Sequence, residues 1–219
     1  MKRIKNSIIG LVVMTSVVGP LAFDNAIAAE DGSKLNYAQI KMGAFKPTSG
    51  FDNAGYDTGF DGSIAYGRYL TKHLILEGAI DGSLSRNKLS GANSTIGDYS
   101  QKNDIGVTAF LLTLKEEYSI GHFNLYGGGG IGAYYANLYS KVDTNRFGIF
   151  NKDENDTVFG AHLVAGANYD ITQNWFLGLE GTYRWTGKVK INGSAATVPV
   201  TYNDNLNGYT IAASVGYRF

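Results

Sequence analysis

Leu74-Ile-Leu-Glu-Gly-Ala-Ile-Asp-Gly-Ser-Leu-Ser85 is the stretch that decides the fold. Leu74, Leu76, Gly78, Ile80, Gly82 and Leu84 fall on one parity, while Glu77, Asp81, Ser83 and Ser85 fall on the other. Successive side chains of a strand point to opposite faces, so this is the period-2 pattern of a strand with one oily face and one ionisable face. In a small water-soluble barrel the apolar face would point inward and the charged face outward. Here the ionisable residues all share one face, and the opposite, broad face is apolar. Burying the broad face in water-soluble fashion is favourable only if the carboxylates stay wet. Enclosing the carboxylates among cations is favourable only if the broad face meets lipid.

The same alternation recurs. In Trp175–Trp185 the residues Trp175, Leu177, Leu179, Gly181, Tyr183 and Trp185 oppose Phe176, Gly178, Glu180, Thr182 and Arg184. The last segment sets Tyr209, Ile211, Ala213, Val215, Tyr217 and Phe219 against Thr210, Ala212, Ser214, Gly216 and Arg218. Ala38, Ile40, Met42 and Ala44 oppose Tyr37, Gln39, Lys41 and Gly43, and Phe159–Tyr169 is apolar at odd positions against His162, Gly166 and Asn168. Phe60–Leu70, Ile105–Tyr118 and Phe123–Tyr139 alternate less cleanly but are also read as strands. The links near 71–73, 119–122 and 170–174 are short, whereas those near 47–57, 86–103, 141–156 and 186–205 are long and polar. Short and long alternate throughout. The sequence therefore predicts an all-β fold, an eight-stranded antiparallel transmembrane β-barrel with short periplasmic turns and longer extracellular loops. Pro47 and Pro199 fall in long links, where proline interrupts no central ladder. Aromatic residues near the strand ends, with Trp175, Phe123, Phe45 and Phe219 assigned to the short-turn side and Tyr183, Trp185 and Tyr209 to the loop side, suit two interfacial girdles.

At the N-terminus, Lys2, Arg3 and Lys5 precede an apolar run from Ile8 to Phe23 and then Ala26-Ile27-Ala28. This is the layout of a secretory signal peptide, so residues 1–28 are expected to be cleaved and 29–219 to form the barrel domain. The chain has no cysteine, which excludes disulfides and thiolate metal sites. It has 19 basic and 19 acidic residues, a balance that gives no footprint for nucleic acid.

Lys41, Glu77, Asp81, His162, Glu180, Arg184 and Arg218 share the inward parity and are expected to form a polar network in the lumen. Carboxylates are general acid–base groups, yet cations on the same side favour charge-paired plugs that specify register and close the pore to ions. His162 is the one histidine placed to meet a carboxylate. The three histidines have no metal-ligand spacing, and Gly127–Gly132 lacks the βαβ context and the Lys-Ser/Thr pair of a phosphate loop. No catalytic residue, cofactor or metal is expected. Glycine in that run is read as room for large neighbouring side chains or for barrel curvature.

These residues also carry a resemblance. Ala213-Ser-Val-Gly-Tyr-Arg-Phe219 is similar to the C-terminal signal of outer-membrane barrels, and Phe123-Asn-Leu-Tyr-Gly-Gly-Gly-Gly-Ile-Gly-Ala-Tyr134 to the Tyr-x-Gly-x-Gly-x-Gly strand of the small outer-membrane β-barrel proteins, outer membrane protein W included. Gly166–Trp175 and Tyr69–Glu77 extend the similarity over nearly the whole mature chain. The resemblance implies a bacterial outer-membrane location and recognition of Val215, Tyr217 and Phe219 by the barrel-assembly machinery. It also implies passage of small hydrophobic molecules. The chain is thus expected to be a monomer in outer-membrane lipid, with a structural or passive small-solute role and no enzymatic activity. The alternatives are a surface adhesion or host-defence-resistance barrel acting through its loops, and a lipid-modifying enzyme; the histidines lack the His-x-Ser pair that such a hydrolase would show.

Overall fold

The computed structural model describes residues 34–48, 52, 55–93, 97–144, 148–195 and 198–219, so the expected leader, residues 1–28, lies outside the described residues. The barrel strands are β1 (Asn36–Pro47), β2 (Gly59–Tyr69), β3 (Leu74–Asn93), β4 (Gly97–Ile120), β5 (Phe123–Thr144), β6 (Gly148–Asp170), β7 (Trp175–Thr186) and β10 (Gly208–Arg218). Between β7 and β10 the chain makes a separate hairpin from β8 (Lys188–Ala195) and β9 (Val198–Asn205). Each barrel strand pairs antiparallel with its sequence neighbour, and β10 closes on β1 with Val215 opposite Ile40 and Tyr217 opposite Ala38. Closure leaves no open sheet edge, which is what a sheet needs in order to cross hydrocarbon.

The outward face is apolar. Ile64, Ile80, Phe110, Ile131, Phe159, Leu179 and Ile211 are all more than half exposed on the outside of the barrel. The Trp175 and Tyr217 rings meet edge-on at 5.0 Å at the short-turn end, and Tyr183 and Trp185 lie 4.5 Å apart at the other. Phe45 belongs to neither girdle: it sits at the loop end of β1 and points inward, because its position has the parity of Lys41 rather than of Met42.

The short turns repeat one device. Thr71 Oγ1 accepts hydrogen bonds from the amides of His73 and Leu74, at 3.3 and 3.0 Å, and Thr172 Oγ1 does the same for Asn174 and Trp175, at 3.2 and 3.0 Å. A threonine hydroxyl thereby replaces the backbone partners that a tight turn leaves unpaired. The third turn uses Gly121 at φ +64°, a left-handed conformation that glycine adopts without cost.

The expected long loops differ from the structure. Instead of irregular links at 86–103 and 141–156, β3 and β4 pair as far as Asn93 opposite Gly97, and β5 and β6 as far as Thr144 opposite Gly148. The 24 residues of β4 far exceed the roughly 9–11 that cross a bilayer. Beyond the membrane both faces are polar, so the alternation that marks a strand in sequence disappears while the backbone ladder continues. The region 186–205 likewise contains β8 and β9, and Pro199 lies in that two-stranded hairpin while Pro47 closes β1.

Candidate functional site

The centre of the lumen holds a closed ring of charge. Lys41 Nζ on β1 lies 3.0 Å from Glu77 Oε1 on β3 and 2.7 Å from Glu180 Oε1 on β7. Lys115 Nζ on β4 lies 2.8 Å from Glu77 Oε2 and 2.8 Å from Glu180 Oε2. Each ammonium bridges both carboxylates and each carboxylate meets both ammoniums, so the four formal charges cancel within the ring. The Lys115 and Glu77 side chains are both 2 % exposed. Buried ions incur a large desolvation cost unless their remaining hydrogen-bonding capacity is filled. That capacity is filled by Tyr37 Oη and Gln39 Nε2, which donate to Glu77 Oε2 at 2.5 and 2.9 Å, and by Tyr126 Oη, which donates to Glu180 Oε2 at 2.9 Å.

Below the ring, toward the short turns, Tyr37, Ile75, Phe176 and the half-buried Tyr69 pack together. Tyr37 and Phe176, and Tyr126 beside the charge ring, lie against glycines on neighbouring strands. Tyr37 is opposite Gly67, Phe176 opposite Gly216 and Tyr126 opposite Gly166. A Cβ at Gly67 would stand 2.1 Å from the Tyr37 ring, and one at Gly216 would stand 2.1 Å from Phe176. The glycine-rich strand works the same way: a Cβ at Gly130 would fall 2.8 Å from the His162 ring.

Above the ring Arg184 crosses the lumen. Its guanidinium lies 3.8 Å from the centre of the Phe45 ring, Nε donates to the Leu206 carbonyl at 3.0 Å, and Nη2 donates to Ser83 Oγ at 3.2 Å. Nη1 is 4.0 Å from Asp81 Oδ1, an ion pair at the limit of contact. Asp61 on β2 accepts from Thr210 Oγ1 at 3.2 Å. A cavity of about 40 Å³ separates this level from the ring, lined by Asp61, Asp81, Thr113, Tyr134 and Arg184 among others. That volume exceeds the roughly 10–15 Å³ that a water needs, and a second space near Leu206 of about 10 Å³ is at that limit. Higher still, Tyr56, Ile105, Val107, Leu138, Val158 and Tyr134 form an apolar plug together with Val189 of β8 and Leu206.

The seven residues expected in one network do not all meet. Lys41, Glu77 and Glu180 belong to the ring, and Asp81 and Arg184 to the level above it. His162 Nε2 contacts Thr113 Oγ1 at 2.8 Å and has no carboxylate partner among the described residues, because Lys115 and Lys41 already occupy Glu180. Arg218 departs from the expectation more clearly. It pairs with Asp170 at 2.5 Å near the short turns, since it is the last residue of β10 and lies well below the ring. Val215, Tyr217 and Phe219 all face outward on β10 or at its end. Lys115, Asp61 and Tyr126 stand at the site although the expected network does not contain them. Lys115 was legible as the odd-parity partner of Thr113 and Glu117 opposite Phe110, Leu112 and Leu114, but Ile105, Val107 and Ala109 give the same parity an apolar start and obscure it.

A closed antiparallel barrel that is apolar outside and ion-paired within defines a transmembrane β-barrel of the outer-membrane class. The chain belongs to the outer membrane protein beta-barrel domain family, whose model matches residues 11–219, and it is located in the bacterial outer membrane. Among solved structures it is similar to outer membrane protein OprG from Pseudomonas aeruginosa, at 15 % identity and a TM-score of 0.60 over 86 % of this chain and 98 % of that one. It is also similar to Neisserial surface protein A, at 19 % identity and a TM-score of 0.51 over 84 % and 97 %. At these identities the likeness is one of fold. No curated protein sequence matches the chain.

Proposed function

We propose that the protein is a closed, non-conducting barrel that anchors itself in the outer membrane and holds the β3–β4, β5–β6 and β8–β9 hairpins at the cell surface. The observation that carries this reading is the ring of Lys41, Glu77, Lys115 and Glu180, which spans the lumen with no free charge of its own. A solute moving along the axis would have to part ion pairs that are almost completely buried, and aromatic and aliphatic plugs stand on either side. The packed lumen favours a structural role over passive passage, and the length of the hairpins favours surface contact as the activity built upon it. In this reading the chain acts as a monomer, and closure leaves no barrel-strand edge for a second copy to extend. The assembly machinery reads Val215, Tyr217 and Phe219 before β10 closes on β1.

Proteoliposomes test this directly. Vesicles containing the folded protein are expected to admit small polar and apolar solutes no faster than empty vesicles. Faster entry of either class would overturn the closed-barrel reading.

A further inference from the structure

Above the membrane, the outward face carries an arrangement that the barrel itself does not explain. Lys88 on β3 is the direct register partner of Lys102 on β4, and Lys102 is the direct partner of Lys141 on β5. Partners in an antiparallel ladder share a face, with Cβ atoms about 4.5–5.5 Å apart, so three ammonium-bearing side chains stand in one transverse row roughly 10 Å wide. Like charges directly opposite each other destabilise a sheet. One row closer to the membrane the sequence places opposite charges in the same relationship: Arg86 is opposite Asp104 and Nε lies 2.6 Å from Oδ1. Solubility alone is served equally well by mixed signs, so it gives no reason for three lysines in register. Among the described residues no ion pair engages these three; by register the neighbouring outward carboxylates are Asp104, already paired, Asp143 above the row, and Asp153 opposite Tyr139 below it, so the row of three ammoniums is flanked by carboxylates but has none within it.

The height of the row points to its ligand. Lys141 is the next outward position after Tyr139, and Tyr135 lies one more outward step below Asn137. Two residues along a strand rise about 6–7 Å, so the row stands just above an aromatic level of the kind that marks the membrane interface. At that depth the available anions are those of the outer-leaflet headgroups. We infer that Lys88, Lys102 and Lys141 form a binding site for a phosphate-bearing sugar headgroup of the outer leaflet. The phosphate offsets the repulsion within the row, and the ligand in turn stiffens the hairpins at the point where they leave the membrane.

The test uses the full folded protein in neutral detergent, with bisphosphorylated lipid A and its dephosphorylated form as probes and native mass spectrometry as readout. The variant carries Lys88→Gln, Lys102→Gln and Lys141→Gln; Lys102→Gln alone serves if the triple variant fails to fold. The wild type is expected to bind the bisphosphorylated lipid at least about tenfold more tightly than the triple variant does, and more tightly at low than at high salt. Both proteins are expected to bind the dephosphorylated lipid equally weakly. In hydrogen exchange without lipid, the triple variant is expected to protect β3–β5 better than the wild type, an order that lipid A reverses. Equal binding of bisphosphorylated lipid A by both proteins would overturn the proposal. So would equal competition by phosphatidylglycerol vesicles, which would show that the sugar headgroup is not what the row selects.

Discussion

Lys115 on β4 and Glu180 on β7 are separated around the barrel wall by β5 and β6, yet their side chains meet across the lumen at 2.8 Å. Strands that are never hydrogen-bonded to each other are thereby held at a fixed spacing. The ring is a cross-brace as well as a barrier, and its geometry depends on the correct register of four strands at once.

Lys115→Met removes both of that lysine's ion pairs and leaves Glu77 and Glu180 with Lys41 alone. Breaking a buried pair on one side typically costs about 3–5 kcal/mol. The variant is expected to unfold in urea at a clearly lower midpoint in lipid micelles, while its C-terminal strand still supports insertion. An unchanged midpoint would mean that the ring does not brace the barrel.

Gly67 and Gly78 provide a matched pair. A Cβ at Gly67 meets the Tyr37 ring, whereas one at outward-facing Gly78 meets nothing within 4 Å. Gly67→Ala is expected to destabilise the barrel by about 1–3 kcal/mol through overpacking. Gly78→Ala is expected to be close to neutral or slightly favourable. Equilibrium unfolding of the two variants in the same micelle separates these outcomes.

Leu179 is 59 % exposed near the middle of β7. In water an exposed leucine tolerates arginine, but on a lipid face near the bilayer midplane the change costs about 2–4 kcal/mol. Leu179→Arg is therefore expected to be strongly destabilising in bilayers, and the cost is expected to shrink for substitutions nearer the girdles. A neutral effect at Leu179 would show that this face does not meet hydrocarbon.

Val189 is fully buried where β8 meets the upper apolar plug. Val189→Asp sets an unpaired carboxylate in the apolar cluster that includes Val158 and Leu138, a burial that the hairpin can avoid only by lifting off. Faster hydrogen exchange across β8 and β9 is expected, with the exchange of β1, β2 and the lower part of β7 unchanged.

Much of the barrel was legible because lipid on one side and ion pairs on the other impose the same two-residue rhythm on Leu74–Ser85, Trp175–Trp185 and Tyr209–Phe219. The rhythm fails where the environment of a face changes along a strand. The inward side of β4 passes from Ile105 and Val107 in the apolar plug to Thr113 and Lys115 at the ring, so no single pattern describes it. Above the membrane, water lies on both faces, and Arg86–Asn93 and Lys141–Thr144 read as loops although their backbones remain paired. Sequence parity shows which side chains point inward. It does not fix their height along the axis, which is why Arg218 was grouped with charges that it never reaches and Phe45 was assigned to the wrong end.

The barrier role of the ring is tested most directly by recording from planar bilayers containing the folded wild-type protein at neutral pH. The expected trace shows no unitary current steps above those of the bare membrane in either polarity. Stable, repeatable open-channel steps from the folded monomer would contradict a lumen closed by Lys41, Glu77, Lys115 and Glu180.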